Sequence, residues 1–332
     1  MTVGSIFSSC TDDFEKLNTS NIQVNPADLP FAAQCTEPMT YCYPPQQNMF
    51  QFWTNLTIDL YGGYFMTPNG NFTNGDMGEN RGHSGGMYEN YYLHIFNNTR
   101  RIIAQCDASG ERGLSGVMRI VQAYGTLMTT DAYGPIPYSS ILSGENEVYF
   151  EFDSQKDLYK AMLEDLSTAI TDISAMGADE IAKLKSFDCW CNGDKDLWVK
   201  IANTMKLRMA LRLSKRETEA SNAGMNLKAI ATEAAQNTLA TVNKDILIDK
   251  SLENEMWLMF NWGDCGFNAN LVTIMSGTKD PRQPLYMTLN TGDIKNEAGT
   301  TTVAANSQYL GIRFASGLPA KPNSWGSFSG WI

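Results

Sequence analysis

The feature that most constrains the fold is a relay of helical apolar periods from residue 88 to about residue 240. Tyr88, Tyr91, Tyr92, Ile95, Phe96, Thr99, Ile102, Ile103 and Cys106 recur mostly at steps of three and four. That spacing puts side chains on one face of an α-helix. After Gly110 the pattern resumes with Leu114, Val117, Met118, Val121, Tyr124 and Met128. Leu158, Met162, Leu166, Ala169 and Ile170 form a third set, and Trp198, Ile201, Ala202, Met205, Ala210 and Leu213 a fourth. A further helix is expected over about 225–240. Each amphipathic helix must bury its stripe against a neighbour, so the chain is predicted to be mostly α, a framework of helix pairs joined by moderate loops. No fixed repeat period can be written down, so a regular solenoid does not follow.

The relay is punctuated. Asp131-Ala132-Tyr133-Gly134-Pro135-Ile136-Pro137-Tyr138 ends the second helix, because its prolines oppose continuation. Asp131, Tyr133, Gly134, Pro135 and Pro137 therefore read as an architectural turn. Ser154 precedes Asp157 as a near-capping box, with Asp in the place of the usual Glu or Gln. Residues 174–196 read as a polar connection, with Asp196 expected to cap the next helix. Before the relay, Met49 to Tyr61 is expected to be a short helix carrying Phe52, Trp53 and Leu56 near one face. Gly62-Gly63 and Pro68 then open a loop. Beyond residue 245 short apolar stretches alternate with Asn, Gly and Asp. The end, Ser329-Gly330-Trp331-Ile332, has no closing element and reads as a truncated domain.

The formal charge of −11 makes phosphate backbones unfavourable partners, which argues against nucleic acid. No run of ~20 apolar residues is present to span a bilayer as a helix. Gly4-Ser5-Ile6-Phe7-Ser8-Ser9-Cys10 resembles the stub of a bacterial lipoprotein signal peptide, with Cys10 as the acylated, palmitate-bearing residue. On that reading residues 1–10 are a signal remnant, 11–35 a tether and lead-in, and the membrane is held by lipid alone. Six cysteines remain, an even number that permits disulfides without fixing their pairing. Two histidines make structural zinc improbable. His94, between Leu93 and Ile95, reads as a packed helix residue, and His83 as an exposed loop residue. No dinucleotide, phosphate-loop or zinc-protease motif and no serine elbow occurs, so neither an enzyme nor a cofactor is expected.

Four stretches carry a resemblance to a known family. They are Cys10 followed by Thr11 to Asn18; Leu127 to Tyr138; Asp153 to Tyr159 with Leu163 to Leu166 and Trp198 to Arg208; and Lys279-Asp280-Pro281-Arg282. In order and spacing they resemble the SusD/RagB-like nutrient-binding lipoproteins of the Bacteroidetes outer membrane. The resemblance implies tetratricopeptide-type helix pairs with an irregular loop-rich region packed on them. It implies one domain over 36–332, with the framework at about 86–245 and the ligand side at about 36–85 and 246–332. It further implies a surface-exposed protein at the outer membrane that captures a glycan or oligosaccharide for a SusC-like TonB-dependent transporter.

Aromatics in Gly- and Asn-rich segments suit sugar faces, and equally suit protein partners. Trp53, Tyr64, Phe65, Asn69, Phe72, Arg81, Trp262 and Trp325 are the ligand candidates, with rings to stack and amides and Arg to bind hydroxyls. Asp280 and Arg282 are expected to pair across Pro281. The alternative to nutrient capture is a cell-surface protein-interaction or adhesin module of helical-repeat type.

Overall fold

A computed structural model describes residues 29–43, 47–69, 72, 78–144, 149–246, 255–295 and 298–314. Helix α1 (Phe31–Tyr41) is followed by a π-helix, Phe50–Asp59. A second π-helix, Tyr91–Phe96, runs directly into α2 (Asn97–Ser109). Then come α3 (Arg112–Tyr133), α4 (Gln155–Ser174), α5 (Ala178–Lys185), α6 (Lys195–Arg212) and α7 (Leu227–Ala235). Each long helix packs on the next, α2 on α3, α3 on α4, α4 on α6 and α6 on α7. The chain is mostly helical, and the helix-pair framework expected from the periodicity is present.

α3 is central because it is buried nearly all round: Leu114, Val117, Met118, Ile120 and Val121 are fully buried, and so are the polar Ser115, Thr126 and Thr130. Gly116 and Gly125 bring its neighbours close. A Cβ at Gly116 would lie 3.1 Å from the Ala169 carbonyl oxygen on α4, and one at Gly125 2.8 Å from Ile95 on the second π-helix. Helix α3 stops at Gly134, whose φ of 79° and ψ of −132° suit glycine alone. Pro135 is exposed, while Pro137 is buried in β2 (Ile136–Pro137), which pairs antiparallel with β3 (Phe152–Asp153).

A second core gathers Phe50, Leu258, Met259, Phe260, Cys265, Phe267, Val272, Met275 and Met287. Its short ladder joins β1 (Phe65–Met66) to β4 (Gly266–Phe267), beside helix α8 (Ala269–Thr278). Buried polar bonds fasten it to the first π-helix. Gln51 and Asn69 donate to the Asp264 carboxylate at 3.0 and 2.9 Å, and Asn55 donates to the Cys265 sulfur at 3.0 Å.

Several local expectations are corrected. The lead-in does not extend to residue 35, because α1 starts at Phe31 and buries Gln34 and Cys35. The 174–196 connection contains α5. The cap of α6 is Asp194, whose carboxylate accepts from the backbone N–H of Asp196 and Leu197. Ser154 caps α4 by accepting from the Asp157 N–H at 3.2 Å. Asp280 and Arg282 pair, with the guanidinium Nη2 2.6 Å from the carboxylate. The six described cysteines are free thiols, five of them buried. Among the described residues no helix is long and apolar enough to cross a membrane.

Candidate functional site

A cleft of about 680 Å³ opens between the first π-helix, the 79–87 segment and the C-terminal halves of α3 and α6. Its volume lies within the range of ligand pockets, ~300–1,000 Å³. Its aromatic walls are Trp53, Tyr61, Tyr124 and Tyr133, and its charged groups are Glu79, Asp131, Arg208 and Arg212. Met87, Leu127, Met128 and Met205 add apolar surface.

Local sequence positions each wall. Trp53 is buried in the first π-helix, and its indole lies so close to Gly86 that a Cβ there would fall 2.0 Å from Nε1. Tyr61 follows that helix, is 43% exposed, and donates its hydroxyl to the Gly78 carbonyl at 3.2 Å. Tyr133 closes α3 and donates to the Ser84 carbonyl, which ties the wall to the short helix Arg81–Ser84. Asp131, in the last turn of α3, accepts from the Tyr159 hydroxyl at 2.6 Å and meets Arg212 at 3.3 Å. Burial, and then the Asp131 bond, push the Tyr159 phenol well above its ordinary range. Glu79 is paired with Arg81 at 3.2 Å, both largely exposed. The site thus offers apolar ring faces, carboxylates and guanidinium groups. Among the described residues no cluster of His, Cys, Asp and Glu is placed to hold a metal ion.

The ligand candidates do not converge. Trp53 lines the cleft as a buried wall, and Arg81 reaches it only through Glu79. Asn69 is not a free amide: it is buried, with its NH₂ committed to Asp264. Phe65 pairs with Phe267 and packs edge-on against Phe260, and Trp262 is half-buried on the same core. Tyr64 is 55% exposed but lies outside the cleft lining. Phe72 meets His83 edge-on at 6.3 Å. Trp325 and Cys10 lie outside the described residues. Asp131 and Tyr133, read as turn residues, are also cleft residues.

His83 is not an exposed loop residue. It stacks on Phe52 at 4.5 Å, and burial pushes its pKa down. His94 stacks on Tyr41 at 3.8 Å, with Nδ1 2.8 Å from Glu37. Tyr61, Tyr124 and Arg208 were missed as site residues. The available signal was Arg208 and Arg212, one four-residue step apart on α6 and so on one face of it.

Fold and cleft together define a helical scaffold with an aromatic-walled cleft. The chain belongs to the SusD-like family: the family profile described as "SusD-like: Susd and RagB outer membrane lipoprotein" matches residues 15–329. The family is one of non-enzymatic proteins associated with the outer membrane. No curated protein matches the chain. Among solved structures, a SusD-like protein from Bacteroides thetaiotaomicron is 24% identical with a TM-score of 0.72, covering 91% of this chain and 60% of its own. A chitin-binding SusD homologue from Flavobacterium johnsoniae is 22% identical, with a TM-score of 0.71 and the same coverage. A homologue from Bacteroides vulgatus is 23% identical with a TM-score of 0.70, covering 90% of this chain and 60% of its own. At these identities the likeness is one of fold, and the chain spans about 60% of their length.

Proposed function

We propose that this chain captures a saccharide nutrient at the outer membrane surface, anchored through an acylated Cys10, and hands it to a TonB-dependent transporter barrel. The observation that carries the reading is the cleft, where Trp53, Tyr61, Tyr124 and Tyr133 surround paired carboxylates and guanidinium groups. A ring laid on a sugar's C–H face removes apolar surface from water, at ~25 cal/mol per Å². Charged partners then fix the hydroxyls by hydrogen bonds of ~1.5–3 kcal/mol each. Family membership supports the location and the nutrient role, and the chitin-binding relative shows a similar fold used for a glycan. The chemistry is reversible binding, and uptake energy would come from the barrel.

A glycan array read by saturable binding tests this, with Tyr61→Ala as the site variant. Tyr61 is exposed and its bond to Gly78 is peripheral, so binding is expected to weaken about tenfold with the fold intact. Saturable binding unaffected by Tyr61→Ala would move the site elsewhere, and reducing ends released from a bound glycan would make the protein an enzyme.

The interaction-module reading has one specific support. Leu142, Tyr149, Phe150 and Phe152 are exposed together in the segment around β3. We assign that patch to protein contact. Replacing Tyr149 and Phe152 by Ser is expected to abolish co-purification with the transporter while leaving glycan binding unchanged.

A further inference from the structure

Both carboxylates that line the cleft are already paired. Asp131 is matched by Arg212 at 3.3 Å and Glu79 by Arg81 at 3.2 Å. Arg208, one turn before Arg212 on α6, also lines the cleft. Among the described residues its guanidinium has neither a hydrogen bond nor an ion pair. Tyr124 faces the same region from α3 and packs edge-on against Trp190 at 5.7 Å. The hydroxyls of Tyr61 and Tyr133 donate to backbone carbonyls. That of Tyr124 has no such partner among the described residues. Both side chains line the same cleft; burial pushes the Tyr124 phenol above its ordinary range, and the Arg208 charge acts in the opposite direction. A planar fork of donors and a phenolic O–H are therefore uncommitted on adjoining walls, beside aromatic faces. A guanidinium in that position recognises anionic oxygens far better than neutral hydroxyls.

Resting on the reading of the cleft as a saccharide site, we infer that its ligand is an acidic sugar, whose carboxylate or sulfate is held by Arg208 and Tyr124. The net charge of −11 does not oppose this at the site. At physiological salt the screening length is ~8 Å, so distant carboxylates are felt weakly and Arg208 directly.

Tetragalacturonic acid, its fully methyl-esterified twin, a sulfated galactan tetrasaccharide and its desulfated twin make the test. Each is titrated calorimetrically into the 332-residue chain and into Arg208→Gln and Tyr124→Phe. At least one acidic probe is expected to bind tenfold or more tightly than its neutral twin. Which one does so separates carboxylate from sulfate. Arg208→Gln should remove that preference, a loss of about ten- to a hundredfold, and Tyr124→Phe should reduce it about threefold. Arg208 is exposed, so its replacement leaves the fold unchanged by circular dichroism and melting temperature. Equal binding of acidic and neutral twins, or a preference that survives Arg208→Gln, overturns the inference and leaves saccharide capture standing. Failure of these probes and of every neutral, uronate and sulfated glycan on the array overturns both.

Discussion

At the scale of single residues, the site depends on a glycine. Trp53 can form a cleft wall only because position 86 has no Cβ, since one would lie 2.0 Å from the indole nitrogen. Gly86→Ala is therefore expected to push the ring out of its seat, at a cost of ~1–3 kcal/mol. A lower urea midpoint with a red-shifted tryptophan emission would show it, and an unchanged midpoint would mean that the ring has a second resting place. Asp59 gives a separate test. Burial at the end of the first π-helix pushes its carboxyl up to about 7. Folding thus favours its protonated form, whose stabilisation is complete below the unfolded value of ~4 and is lost as pH rises towards 7. The slope is at most ~1.4 kcal/mol per pH unit. Asp59→Asn should remove it, so the difference in stability between variant and parent should grow across that window. A constant difference would refute the assignment. None of this is visible in the sequence, where Gly86 is one of many glycines and Asp59 one of 36 acidic residues.

At the scale of elements, the sequence is legible wherever one face of a helix alone decides its fate. The stripes on α2, α3 and α4 are buried as their spacing requires. Boundaries are less legible, because several polar residues compete for each cap. Asp194 and Asp196 both stand at the start of α6, and only the first has the extended backbone from which a carboxylate reaches the next N–H groups. Asp194→Ala is expected to cost ~1 kcal/mol in urea denaturation, and Asp196→Ala, within the first turn, less than ~0.5 kcal/mol. Equal costs would show that the first turn, rather than the cap, carries the effect. Helix α5 escaped notice for a related reason: it buries only Leu184, too little to leave a periodic pattern. The ligand candidates show the opposite limit, as Asn69 illustrates. Polar neighbours made Asn69 look exposed, whereas its amide is buried against Asp264, almost two hundred residues further along the chain. Local composition carries no information about a partner that distant.

At the scale of the whole molecule, a buried polar seam ties the smaller of the two main cores to the first π-helix. The helical array holds the larger one, and β1, β4 and the segment after Leu258 hold the smaller. The seam is Asp264, 8% exposed, which accepts from Gln51 and Asn69. Both donors precede the helical relay in sequence while Asp264 follows it, so the contact closes a long loop that local structure cannot enforce. The smaller core therefore depends on this carboxylate more than the helices do. Asp264→Ala would leave buried amide donors without acceptors, at ~1–3 kcal/mol each. Regions of one protein open with different free energies, and the loss should fall on the unit that uses the bond. Hydrogen exchange is expected to accelerate at Met66 and Phe267 while the amides of Ile120 and Val121 in α3 keep their protection. Equal acceleration at all four would mean that array and second core unfold as one, in which case the seam stabilises the whole chain. Exchange confined to the smaller core would instead show that the wall supplied by the first π-helix can loosen on its own, giving the cleft freedom to adjust to a bulky ligand while the scaffold behind it holds still.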